Sequence, residues 1–92
     1  GRFFRSNSFV LQALKASNEN IIKVGYTVTK QNGNAVNRNR IKRRLREVVA
    51  NVIHDYGKNN WNYVLIGKKK VITANFEDLN KEFINALKKI HK

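Results

Sequence analysis

The stretch Ala35-Val-Asn-Arg-Asn-Arg-Ile-Lys-Arg-Arg-Leu-Arg-Glu-Val-Val-Ala-Asn-Val-Ile53 holds six cations between Arg38 and Arg46 (Arg38, Arg40, Lys42, Arg43, Arg44 and Arg46) and then turns almost wholly apolar. Helical periodicity resolves the contrast. At 100° per residue Ile41, Leu45, Val48, Val49 and Val52 share one face, which must pack against other structure. Asn39, Arg43 and Arg46 then point away from that face. Arg40, Arg44 and Glu47 lie on one flank, and Arg38 and Lys42 on the other, close to the margin of whatever the helix covers. Asn34 is placed to cap this helix, which is predicted to run to about Tyr56 and stop at Gly57. The segment is a core element whose exposed side is an anion-binding ridge.

A charge run can simply solvate a surface helix. Such runs normally mix signs, however, and Glu47 is the only acid between Glu19 and Asp55. The cations also crowd the N-terminal half, where the helix dipole disfavours each exposed positive charge by about 0.3–1 kcal/mol. An arrangement that costs stability points to a ligand.

The elements around this helix read as strands. Phe9–Leu14 (FVLQAL) and Ile21–Thr29 (IIKVGYTVT) flank the polar turn KASNEN and are expected to form an antiparallel pair. In the second, Ile22, Val24, Tyr26 and Val28 alternate with Lys23, Gly25, Thr27 and Thr29, giving an apolar face and a small, polar one that makes a shallow floor. Lys30–Ala35 (KQNGNA) is turn chemistry. Asn62–Gly67 (NYVLIG) is a continuous apolar run, expected to be a strand buried on both faces. Phe76, Leu79, Phe83, Leu87 and Ile90, after a cap at Asn75, predict an amphipathic helix covering the sheet. Arg2–Phe4 is a candidate short edge strand.

Composition narrows the partner. The chain has 92 residues, 41% hydrophobic and 10% aromatic, enough for one core and one domain. A domain this small buries about 60–65% of its unfolded surface, so its stability margin is modest. Nineteen Lys and Arg against six Asp and Glu give a net charge of +13. A polyanion offsets such self-repulsion, and nucleic acid leads because a basic face gains by releasing phosphate counterions. An anionic membrane surface is the rival. It calls for apolar side chains opposite the basic face and available to insert, whereas Leu45, Val48 and Val52 are committed to the core. There is no cysteine, which excludes disulfides and thiolate metal sites and fits a reducing, cytoplasmic setting. No apolar run approaches the roughly 20 residues that span a bilayer. The first residue is Gly1, so the native start is expected to lie upstream.

Gly33–Glu47 (GNAVNRNRIKRRLRE) closely resembles the arginine-rich "RNR" signature of the bacterial ribonuclease P protein subunit. The order FVLQAL, VGYTVTK, signature, YVLIG and final helix matches across nearly the whole chain. The resemblance implies an α+β fold, a small, mostly antiparallel sheet packed by helices, with the signature helix in a left-handed crossover between parallel strands. It implies a protein cofactor, monomeric within its complex, that binds a catalytic RNA and the 5′ leader of precursor tRNA. Mg²⁺ held by the RNA would perform the hydrolysis. Carried over by position, Arg40, Arg43, Arg44 and Arg46 would face the catalytic RNA. Arg38, Asn39 and Lys42 would stand at the mouth of a leader cleft floored by Val10, Gln12, Gly25 and Thr27. For Arg38 and Lys42 this agrees with the flank derived above; an ideal helix turns Asn39 outward. Two departures weaken leader binding: Gln12 stands where the family usually has an aromatic, and the family's N-terminal helix would precede Gly1. The leading alternative is a ribosomal-type RNA-binding module that binds no leader.

The remaining constellations are weaker. His54 and His91 lack metal-ligand or general-base partners at useful spacing, and adjacent His54 and Asp55 point about 100° apart on a helix. Glu77, Asp78 and Glu82 suit the dipole of the last helix and pairing with Lys81, without a metal. Lys68, Lys69 and Lys70 follow Gly67 without the spacing of a phosphate-binding loop and read as an accessory basic contact or a solvated loop. Trp61 and Tyr63 suit core or strand-edge anchoring better than base stacking.

Overall fold

The computed structural model describes residues 2–16, 22–29, 31 and 33–91. Strands β1 (Arg2–Arg5), β2 (Phe9–Lys15) and β3 (Lys23–Val28) precede the long helix α1 (Ala35–Tyr56). Strand β4 (Trp61–Gly67), the single turn α2 (Lys70–Thr73) and helix α3 (Phe76–Ile90) follow. Most of the turn KASNEN, with Ile21, Lys30 and Asn32, lies outside the described residues.

The sheet order is β1-β2-β4-β3. β1 and β4 both pair antiparallel with β2, while β3 pairs parallel with β4, so α1 is the crossover between parallel neighbours. The expected β2–β3 hairpin does not form, because β4 lies between them. The residues explain the preference. Tyr63, Val64, Leu65 and Ile66 give β4 apolar side chains for both faces and a neighbour on each side. The exposed Lys23, Gly25 and Thr27 of β3 suit an edge.

Helices cover one face only. Phe9, Leu11, Ala13, Tyr63 and Leu65 are buried against Ile41, Leu45, Val48 and Val52 of α1 and Leu79, Phe83 and Leu87 of α3. Phe9 meets Phe83 edge-to-face at 6.1 Å. β4 is therefore not buried on both faces: Tyr63, Leu65 and Gly67 are buried, whereas Asn62, Val64 and Ile66 are half-buried on the uncovered side. Gly67 marks the closest approach of α1. A Cβ there would collide with Ile41 Cγ2 and come within 3.0 Å of Leu45 Cδ1.

The far corner is closed by the end of α3. The Tyr63 hydroxyl accepts the Lys58 amide at 2.9 Å and lies 2.6 Å from His91 Nε2. Trp61 packs edge-to-face on His91 at 4.9 Å, and the Arg2 guanidinium sits over Trp61 and donates to the Ile90 carbonyl. Trp61 and Tyr63 thus act as anchors.

Candidate nucleic-acid interface

The turn into α1 needs Gly33, whose φ of +120° is one that side chains resist. Asn34 then caps the helix by accepting the Asn37 amide at 2.9 Å. No acid occupies the first turn of α1, whereas α3 carries Glu77 and Asp78 there. The positive end of the α1 dipole is thus left for cations and for whatever anion they attract.

Along α1 the cations, together with Asn39, divide into three groups. Asn39, Arg40 and Arg43 are exposed. Arg38, Lys42 and Arg46 follow one another at intervals of four on the flank nearest β3. Arg46 is exposed yet not directed straight outward as expected: its guanidinium lies over the Tyr26 ring at 5.5 Å. Burial raises the Tyr26 pKa, and the nearby Arg46 charge partly opposes the rise. Arg38 and Lys42 are half-buried at this margin, and Arg38 Nε is inaccessible and has no hydrogen-bond partner.

Arg44 stands apart. Its Nε donates to the Val71 carbonyl at 2.8 Å, a second guanidinium nitrogen donates to the Ala74 carbonyl, and the plane covers Phe76 at 4.3 Å. The resemblance implies that Arg44 joins the RNA-facing arginines; in the fold its guanidinium ties α1 to the α2–α3 connection. Its flank position follows from periodicity, but α2, the carbonyl-bearing partner, has too short an apolar pattern to be foreseen.

The uncovered sheet face brings the four floor residues together. Gly25, Val64, Gln12 and Phe3 form one cross-strand row, and Thr27, Ile66, Val10 and Arg5 the next. At Gly25 a Cβ would touch only Val64 Cγ2, at 3.9 Å, so the floor is open there rather than crowded. Phe3, 65% exposed, belongs to this face and was not anticipated as a site residue. The alternation of Phe3 and Phe4 in a strand held the signal.

The basic run after β4 is divided. Lys68 Nζ donates to the Ser6 carbonyl at 3.0 Å and its amide to the Ser8 carbonyl at 2.9 Å, fastening the β1–β2 turn. Lys69 and Lys70 are exposed. His54 is exposed on α1, and Glu77 pairs with Lys81 at 3.7 Å on the surface of α3. Among the described residues no three His, Asp or Glu side chains gather as a metal would require.

The fold thus sets a cationic crossover helix beside an open sheet face. The family model for ribonuclease P matches residues 1–91. The chain belongs to the ribonuclease P protein family. It is 43% identical to the ribonuclease P protein component of Ruegeria pomeroyi over 94% of this chain and 71% of that protein. Identity to the component from Paramagnetospirillum magneticum is 37%, over 97% of this chain and 70% of that one. The solved ribonuclease P protein from Thermotoga maritima superposes with a TM-score of 0.81 at 26% identity, covering 98% of this chain and 84% of that one. This ribonuclease P subunit is an α+β domain with a four-stranded mixed sheet. No helix among its described residues is long and apolar enough to cross a membrane.

Proposed function

We propose that the chain is the cofactor that binds the catalytic RNA of ribonuclease P and the 5′ leader of precursor tRNA, while Mg²⁺ held by the RNA performs the cleavage that matures the tRNA 5′ end. The observation that carries this reading is α1: one side is committed to the core, and the other presents arginines that no acid in its first turn neutralises. In this reading Arg40, Arg43 and Arg46 meet the catalytic RNA. Arg38, Asn39 and Lys42 stand beside the leader path, and Val10, Gln12, Gly25 and Thr27 form its floor. Arg44 holds the α2–α3 connection. Lys69 and Lys70 extend the basic surface.

The protein's contribution is electrostatic. Hydrolysis of a phosphodiester needs charge stabilisation at the attacking and leaving oxygens, which metal ions provide. A +13 chain repels such ions and instead screens repulsion between two RNAs. Stimulation should therefore be largest at low magnesium and fade as magnesium rises. The test is cleavage of precursor tRNA by a bacterial catalytic RNA, with and without the protein, across a magnesium titration, beside a protein-only control. Metal-dependent cleavage by RNA-free protein, abolished by replacing Glu77, Asp78 or Glu82, overturns the cofactor reading. Absence of stimulation at every magnesium level favours the ribosomal-type RNA-binding module.

A further inference from the structure

We infer that Phe3, on the edge strand β1, is the base-stacking platform of the open sheet face and receives one unpaired base of the leader; this rests on the leader-binding reading above. Phe3 is 65% exposed although Phe4, its neighbour, turns inward and packs against the core. The two faces of β1 thus separate a structural aromatic from one with little structural work. Phe3 lies directly across from Gln12, so the row Phe3, Gln12, Val64, Gly25 has a flat aromatic at one end and an open glycine floor at the other. Leu14, 42% exposed, and the half-buried Val10, Val64 and Ile66 belong to the same face, so Phe3 shares a largely apolar face interrupted by Gln12 rather than standing as an isolated surface residue.

Charge decides between occupants. Arg5 and Lys23 border this face, whereas every described acid (Glu47, Asp55, Glu77, Asp78, Glu82) is on a helix. An apolar, aromatic surface whose described charged neighbours are cations suits a polyanion that also presents ring faces. An unpaired strand does so; a duplex hides its ring faces within the stack. From Phe3 to Gly25 are three inter-strand spacings, about 14 Å. The base on Phe3 and the backbone over Gly25 therefore belong to different nucleotides of one strand crossing the sheet. Gln12, between them, supplies hydrogen bonds while Phe3 supplies the ring.

The experiment uses the full chain reconstituted with catalytic RNA, and precursor tRNAs whose leader carries one abasic nucleotide at a time. Affinities are measured for wild type, Phe3→Leu and Phe3→Trp, with mature tRNA as the leaderless control. Wild type should lose about 5- to 150-fold at one abasic position. Phe3→Leu should show a similar loss with the intact leader and no further loss at that position, while Phe3→Trp restores both the affinity and the abasic penalty. Binding of mature tRNA and the thermal melt should not change. In a holoenzyme that the protein stimulates, a Phe3→Leu variant equal to wild type on every leader overturns this inference and leaves the cofactor reading standing. So does a loss that adds independently to the abasic penalty, or one seen equally with mature tRNA, which would show Phe3 covered by something other than the leader. A wild-type protein that fails to stimulate the RNA removes both.

Discussion

Two glycines and two arginines show how differently like residues are used. Gly67 has α1 pressed against it, so Gly67→Ala should destabilise the domain by about 1–3 kcal/mol, read as a lower denaturant midpoint. Gly25 has open space above it and no positive φ. Gly25→Ala should instead raise stability by about 0.4–1 kcal/mol, as the unfolded chain loses freedom, while weakening leader binding by raising the floor. Arg43→Ala should leave the melt within about 0.5 kcal/mol of wild type and weaken assembly with the catalytic RNA. Arg44→Ala strands two carbonyls and should cost about 1–3 kcal/mol, separating a fold-holding arginine from the neighbour proposed to face RNA. His91 adds a pH dependence. Burial, then the Lys58 and Arg2 charges, lower its pKa below the usual 6.5. The unfolded chain therefore takes up the proton first. Stability should be full above about pH 6.5 and decline on acidification toward the folded-state value. His91→Gln should flatten that part of the profile, measured by denaturant melts between pH 7.5 and 5.

At the scale of elements, α1 and α3 are legible because each carries a complete set of local signals. Asn34 and Asn75 both cap as expected, and the apolar spacing of each helix selects its buried face. The alternation of β3 likewise separates Tyr26 and Val28 from Gly25 and Thr27. The order of strands is not legible in this way, since pairing depends on residues distant in sequence. β2 and β3 are neighbours along the chain, yet the better partner for both is β4, 39 residues downstream of β3's centre by the register Tyr26 to Leu65. The arginine ridge illustrates the same limit within the site. Periodicity places Arg44 on a flank but cannot show that α2 will put two carbonyls there. The resemblance supplied the floor residues, and only the register with β1 adds Phe3 to them. One element-level prediction follows from the cap: Asn34→Ala should cost about 0.5–2 kcal/mol, through fraying of the turn that holds Arg38, visible as lost amide protection from Asn37 to Arg40.

For the whole molecule, one face of the sheet is closed by helices and the other is open, with the described acids on the helices and the +13 charge unbalanced. Association with RNA should be dominated by counterion release. If five or six phosphates are neutralised, affinity should fall by about 10²–10³ between 50 and 200 mM salt. A nearly flat log–log plot would refute an electrostatic ridge. The position of β4 carries a further consequence, for the chain's synthesis. Strand β4, which joins β2 to β3, is the last strand to be translated, so a nascent chain that has emerged to Asn60 has β2 and β3 but nothing to join them. At about 5–20 residues per second, roughly 2–8 s separate the completion of β3 from that of β4. During that interval the arginine-rich segment has been made before the strand that completes the sheet covering its apolar side. Arrested chains of increasing length should develop folding force only after Gly67 has cleared the exit tunnel.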